Sequence, residues 1–244
     1  KSVEAAPVVY EGKRVRNVIP LKEIRKTIAE HLHRSLSISA QLTVTGEFDM
    51  TEVVNLRKAL LSQEEVIGTR ISYTDIIVLA LARALKDNPI MNSSLIDEEI
   101  KIWEDINIGV AFALGDEGLI VPVIKNADQK SLVEISRELK MLGDKATTDK
   151  LVPDDVSGGT FTLTTMTRSG VSHFQTPIIN QPQSAILATA PISDRPVVRD
   201  GQTTIAPMMP YSLTIDHRVI TGAPEEKFLL RLKELLENPC LLLL

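Results

Sequence analysis

Cysteine is almost missing from this chain. The 244 residues contain one, Cys240, beside Pro239 near the end. A single thiol cannot form a disulfide within the chain, and the composition points to a reducing compartment. No histidine lies near Cys240 in sequence, so it reads as structural or incidental. A basic excess is also lacking. Lys and Arg number 27 against 32 Asp and Glu, for a net charge of −5, which removes the electrostatic basis for nucleic-acid binding. Long apolar runs are missing too. The longest, residues 76–81, is far short of the roughly 20 residues that span a bilayer, and no secretory pattern opens the chain. Membrane partners are therefore not expected. There is no glycine-rich phosphate loop, no internal repeat, and no metal site is read.

What is present suits a globular protein of one large domain or two small ones, with 43% hydrophobic and 24% charged residues. Residues 1–18 mix Pro7, Gly12, Lys13, Arg14 and Arg16 without a period, as an arm or linker remnant does. The folded core is expected over 19–244. Leu21, Ile24, Ile28 and Leu32 recur at helical spacing after Pro20, and His31 and His33 near that helix's end read as surface or packing residues. Alternation over 41–49 predicts a half-buried strand, and Thr51 opens a helix to about Leu61. Ser72 with Asp75, and Ser131 with Glu134, have capping-box spacing ahead of apolar helices. Leu95-Ile96 and Ile100 to Trp103 suggest a hairpin. Residues 106–113 and 119–124 read as strands around a Gly115–Gly118 turn. Further strands are expected at 160–165 and 184–189. Asp200-Gly201 is a two-residue hairpin signal, and Pro224 to Leu236 forms the last amphipathic helix. Helices intermixed with hairpin-joined strands predict an α/β two-layer sandwich with a mixed sheet.

The chemistry concentrates in Thr214-Ile-Asp-His-Arg-Val-Ile-Thr-Gly222. It places His217 where a strand ends and a helix is about to begin, held by backbone on both sides. Histidine alone has an unperturbed pKa that lets it take and return protons near neutrality. Strand alternation points Asp216 and Arg218 away from the His217 side, as a structural ion pair or backbone anchors. His173 reads as exposed.

Several blocks, in order, resemble the catalytic domain of the dihydrolipoamide acyltransferases, the E2 component of 2-oxoacid dehydrogenase complexes. They are Ile24 to Ala29, Asn107 to Ala111, Gly118 to Val123, Lys125 to Asp128, Gly158 to Thr162, Ile178 to Asn180, Ala185 to Leu187 and Asp216 to Ala223. The resemblance implies a chloramphenicol-acetyltransferase-like fold and acyl transfer between dihydrolipoamide and coenzyme A. It implies His217 as general base for the thiol and Thr164 as oxyanion donor, with Thr165 the neighbour if the register is off by one. The family usually has Asp or Asn where this chain has Thr221. That leaves three readings: Thr221 as a hydrogen-bonding anchor of the His217 loop, an idle Thr221, or a catalytically weak scaffold domain. Arg25 is a candidate contact for a coenzyme A phosphate, against a solvated helix face.

The resemblance further implies a homotrimer with His217 facing Thr164 of the neighbouring subunit. Such trimers build a cubic or dodecahedral core served by lipoyl domains and the E1 and E3 components, in cytoplasm or mitochondrial matrix. Nothing in these residues resembles a lipoyl attachment site. The leucines 241–244 fit an anchor in another subunit, with a tail folded onto its own domain as the alternative. A chloramphenicol-type O-acetyltransferase and a non-catalytic core subunit are the rival functions. Acetyl or branched-chain acyl groups are expected ahead of succinyl.

Overall fold

The computed structural model describes residues 9–113, 118–165 and 172–243. Short strands β1 (Val9–Tyr10) and β2 (Lys13–Arg14) pair within the expected arm. The rest of the chain runs α1 (Glu23–Ile38), β3 (Gln41–Asp49), α2 (Thr51–Leu61), α3 (Glu64–Ile67), α4 (Tyr73–Asp87), β4 (Ser93–Ile96), β5 (Glu99–Ile102), β6 (Ile108–Val110) and β7 (Phe112–Ala113). After these come β8 (Leu119–Ile120), β9 (Val123–Ile124), α5 (Leu132–Thr147), β10 (Phe161–Thr165), β11 (Ala185–Thr189), β12 (Ser193–Arg199), β13 (Gln202–Asp216) and α6 (Pro224–Glu237). A 3-10 turn over Pro239–Leu243 follows.

The main sheet has seven strands in the order β12-β13-β11-β10-β6-β9, with β3 also on β13. β10 runs parallel to both β11 and β6, and the other pairings are antiparallel. The sheet is therefore mixed, as expected. Helices pack on it around one core that joins Phe161, Leu163, Leu187 and Leu213 from the sheet to Ile76, Leu81, Leu85, Phe228 and Leu232 from α4 and α6. α4 is apolar nearly all round because it is buried nearly all round.

Local chemistry sets the element ends. Ser72 Oγ accepts from Asp75 N at 3.2 Å and Ser72 N donates back to Asp75 Oδ2 at 2.7 Å, and Ser131 with Glu134 does the same ahead of α5. These reciprocal bonds satisfy amides that the first helical turn leaves without partners. Asp200 and Gly201 both take positive φ, 51° and 76°, as the tight β12–β13 turn requires. Pro224 occupies the first turn of α6, where its missing N–H costs nothing.

Two expectations change. The strands over 106–113 and 119–124 are one interrupted hairpin. The β6–β9 pairing stops at Gly109↔Val123, and the β7–β8 pairing resumes at Phe112↔Ile120. Between them Val110 N donates to Pro122 O at 2.8 Å, but Pro122 has no N–H to return, and Ala111 N turns to Leu163 O at 2.9 Å. The leucine tail is the second change. Leu242 is buried in this chain's own core and Leu241 packs against it, while Leu243 is 88% exposed. Part of the tail folds onto its own domain, leaving Leu243 outward. Cys240 is a free, exposed thiol.

Candidate active site

The His217 turn begins at a strand end held from three sides. Asp216 N donates to Ser184 O at 2.8 Å, and His217 N donates to Ala40 O at 2.9 Å, where α1 passes into β3. Val219 N and Ile220 N both donate to Asp216 O, at 2.9 and 3.0 Å. The Asp216 carboxylate, 2% exposed, accepts from Arg218 N at 3.1 Å and from the Arg218 side chain, with the closest contact 2.6 Å. Ala40 N adds a longer bond at 3.3 Å. A buried carboxylate needs such partners, because an unpaired one is costly. The bond to Asp216 also raises the Arg218 pKa above its ordinary value. Asp216 and Arg218 are thus the ion pair and backbone anchor that alternation suggested. They leave the His217 imidazole exposed, with neither ring nitrogen hydrogen-bonded among the described residues.

Thr221 ends the turn. It is exposed, and its hydroxyl makes no hydrogen bond among the described residues. Within one chain the loop is held by Asp216, Arg218 and Ala40 rather than by Thr221.

Thr164 lies at the other end of the sheet. It is half-buried on β10 and opens into a cavity of about 470 Å³. The walls include Ile28, Val121, Ile178 and Ile186, with His31 and Asn180 among the polar residues. Its neighbour Thr165 is exposed and lines a different cavity, beside Phe112 and Ser136, because successive strand residues face opposite sides. α1 is fastened over the Thr164 cavity by two bonds to the 177–180 segment. Ser35 Oγ donates to Ile179 O at 2.6 Å, and His31 Nε2 lies 2.9 Å from Asn180 Oδ1.

The register separates the two candidate groups. Thr164 stands beside Ala188, and Ala188 beside Ser212. Asp216 is four residues further along β13. At about 3.3 Å per residue and 4.8 Å per strand spacing, the Cα atoms of Thr164 and Asp216 are roughly 16 Å apart, with His217 further still. A general base and an oxyanion donor must both come within about 3 Å of the reacting atoms. One chain therefore does not bring His217 and Thr164 together.

Among the other candidates, Arg25 is exposed on α1 and is not part of the Thr164 cavity. His33 and His173 are exposed, as expected. His31 is exposed, in keeping with its surface reading, and it also lines the cavity that Thr164 opens into. The signal was available: His31 is three residues from Ile28 on the helix, a spacing that brings the two side chains to neighbouring positions. Asn107, in one of the resembling blocks, is a clamp. Its Nδ2 donates to Gly158 O at 2.8 Å and its Oδ1 accepts from Asn126 N at 2.8 Å, tying two loops to the edge of the sheet. Among the described residues there is no metal-ligating cluster, and no helix is long and apolar enough to cross a membrane.

The 2-oxoacid dehydrogenases acyltransferase (catalytic domain) family model matches residues 13–244. The chain belongs to this acyltransferase family. It is 37% identical over 97% of its length to the dihydrolipoyllysine-residue acetyltransferase component of the pyruvate dehydrogenase complex of Rickettsia felis, covering 57% of that protein. It is 39% identical over 98% of its length to the succinyltransferase component of the 2-oxoglutarate dehydrogenase complex of Pseudomonas aeruginosa, covering 58% of that protein. The acyltransferase domain thus spans somewhat over half the length of these curated relatives.

Among solved structures, the Azotobacter vinelandii dihydrolipoamide acetyltransferase superposes with a TM-score of 0.90 at 34% identity, covering 99% of this chain and 100% of that one. Its structural and enzymatic study concerns the role of a serine, a histidine and an asparagine in the catalytic mechanism, the last two four residues apart. The cubic core of a pyruvate dehydrogenase multienzyme complex gives 0.89 at 33% identity, covering 99% and 100%. Chloramphenicol acetyltransferase gives 0.54 at 16% identity, covering 85% and 94%, a likeness of fold alone.

Proposed function

We propose that this acyltransferase domain moves an acyl group between dihydrolipoamide and coenzyme A, at a site built from two copies of the chain. The observation that carries the reading is the opposite placement of His217 and Thr164 on one sheet. Each is exposed or opens into a cavity, and neither side chain has a hydrogen-bond partner among the described residues. His217 of one copy meets Thr164 of the next.

The chemistry follows from the groups. A thiol with a reference pKa near 8.5 is mostly protonated at neutral pH, and the thiolate is the nucleophile. The His217 imidazole accepts the thiol proton as sulfur attacks the thioester carbonyl. The carbonyl oxygen becomes an oxyanion, and the Thr164 hydroxyl donates to it, a contribution of roughly 3–4 kcal/mol in comparable holes. Collapse expels the other thiolate, which takes the proton back from His217. Either thiol can attack, so the same groups serve both directions.

The relatives support the roles. His217 and Thr221 have the four-residue spacing of the histidine and asparagine studied in the Azotobacter enzyme. The serine there precedes its histidine by 52 residues. The same count here reaches Thr165, and one more reaches Thr164. Thr164 is assigned because it faces the largely apolar cavity under α1. Thr221 would bond across the subunit boundary, since its hydroxyl has no partner among the described residues. Arg25 is assigned to a coenzyme A phosphate.

Association has its own support. Val18, Ile19 and Leu21 ahead of α1, Leu36 and Ile38 on it, and Leu42 at the start of β3 are exposed large apolar residues, and apolar side chains left outward in this number suit a surface covered by association. A homotrimer assembling into a hollow core, served by lipoyl domains and the partner enzymes of a 2-oxoacid dehydrogenase complex in the cytoplasm or mitochondrial matrix, is the corresponding assembly. The direct test is acyl transfer from acetyl-CoA to dihydrolipoamide, with chloramphenicol as the rival acceptor, in wild type and His217→Ala. Equal background rates in both proteins would favour a scaffold role instead.

A further inference from the structure

We infer that the cavity below Thr164 receives the acyl chain itself, and that it selects an uncharged, branched acyl group over both acetyl and a carboxylate-bearing one. This rests on the assignment of Thr164 as oxyanion donor. It goes beyond the family resemblance, because acetyl- and succinyl-transferring relatives match the chain at 37% and 39% identity and do not discriminate.

The walls carry the argument. A hydroxyl that holds the thioester oxygen places the acyl carbons within the volume it opens into. That volume, about 470 Å³, is far larger than an acetyl methyl needs. Ile28, Val121, Ile178 and Ile186 supply branched apolar surface around it. Each added methylene buried against such a wall gives about a fourfold preference.

Several polar side chains at the cavity are already engaged with each other or with the backbone, while the side chains of Thr164 and of the exposed Gln175 make no hydrogen bond among the described residues. Thr162 is buried, and its Oγ1 donates to Gln183 Oε1 at 2.6 Å, while Gln183 Nε2 donates to Gly159 O at 3.0 Å. His31 pairs with Asn180 at 2.9 Å, and it is the one ionisable side chain among the described lining residues. A terminal carboxylate lodged among the apolar wall residues gives up its water unless it breaks the His31–Asn180 pair or reaches the exposed Gln175 amide, so it gains less there than a branched alkyl group does. His31 is therefore the specificity-determining polar group at this cavity.

The test measures kcat/KM for acetyl-, isobutyryl-, isovaleryl- and succinyl-CoA with dihydrolipoamide. It compares wild type with Ile178→Trp, which fills the cavity from a half-buried loop position, and with His31→Arg, which brings a fixed charge. Wild type is expected to favour isobutyryl over acetyl by about fifteenfold for its two added carbons, with succinyl slowest. Ile178→Trp should lower isobutyryl and isovaleryl transfer at least tenfold more than it lowers acetyl transfer. His31→Arg should raise succinyl relative to isobutyryl by at least tenfold. A wild-type succinyl rate within threefold of isobutyryl, or an Ile178→Trp loss that is equal for all four substrates, would overturn the inference alone. No transfer with any acyl-CoA would overturn both it and the proposed activity.

Discussion

If His217 and Thr164 act across a boundary between copies, two inactive variants should restore each other. The perturbation is a mixture of His217→Ala and Thr164→Ala chains, denatured together and refolded, or co-expressed at equal levels. Loss of the general base lowers the rate about 10²–10⁴-fold, and loss of one oxyanion donor about 10²–10³-fold. Either variant alone should therefore show at most about 1% of wild-type activity. In random mixed assemblies, each head-to-tail boundary draws one chain for its histidine side and one for its threonine side. A boundary is intact only when the first chain is Thr164→Ala and the second is His217→Ala, a chance of about a quarter. Activity should thus recover to about 25% of wild type, some 25-fold above either parent. The assay is initial rate of acyl transfer at fixed total chain, with mixing verified by mass spectrometry of the intact assemblies. The roughly 16 Å separation within one chain makes the outcome decisive. Verified mixed assemblies that stay near 1% would refute the shared site.

Other perturbations test individual parts. Arg218→Ala strands the buried Asp216 carboxylate. Because Arg218 is itself partly exposed, the expected cost is about 2–3 kcal/mol, read from urea unfolding, and Asp216→Asn in the same background should recover part of it. Thr221→Asp should leave activity intact or raise it, and a loss beyond about tenfold, or about 1.4 kcal/mol in the barrier, would show the threonine to be a specific part of the site. Leu242→Ala should destabilise the fold by about 2–5 kcal/mol, whereas Leu243→Ala should spare the fold and reduce assembly size by light scattering. Burial pushes the Asp49 carboxyl up, but hydrogen bonds from Thr51 Oγ1 and N, at 2.6 and 3.0 Å, and the Arg199 guanidinium hold it below its ordinary 3.8. Its contribution is complete above that value and is lost as pH falls through the lower folded one. The stability gap between wild type and Asp49→Asn should accordingly be constant from about pH 6 to 8 and shrink below about pH 4, followed by urea midpoints.

Much of this protein is determined locally and is legible as sequence. β3 and α2 begin and end where alternation and helix-period reasoning put them, because Gln41 to Asp49 has one face to bury and Thr51 begins a helix at its end. The two capping boxes and the Asp200-Gly201 turn are short-range chemistry within four residues, so no long-range contact is needed to see them. The histidine motif is of the same kind: its position after an apolar strand and before a proline-started helix is written in order along the chain.

Distance across the fold is not written there. That Pro122 faces Val110, and so breaks a hairpin read as two whole strands, depends on the pairing register. That Leu242 turns inward while Leu243 does not depends on which surface the last turn meets. His31 is the surface residue its sequence suggested, but that it lines the Thr164 cavity depends on where α1, fastened through Ser35 to Ile179, lies on the fold. The site itself shows the division most clearly. The sequence by itself determined which side chains the proposed chemistry calls on, His217 from its residue type and local backbone and Thr164 from its place in a family-like block. Only the tertiary structure decided that His217 and Thr164 lie at opposite ends of one sheet, because strand order and register, which alone set that separation, come from burying a shared core.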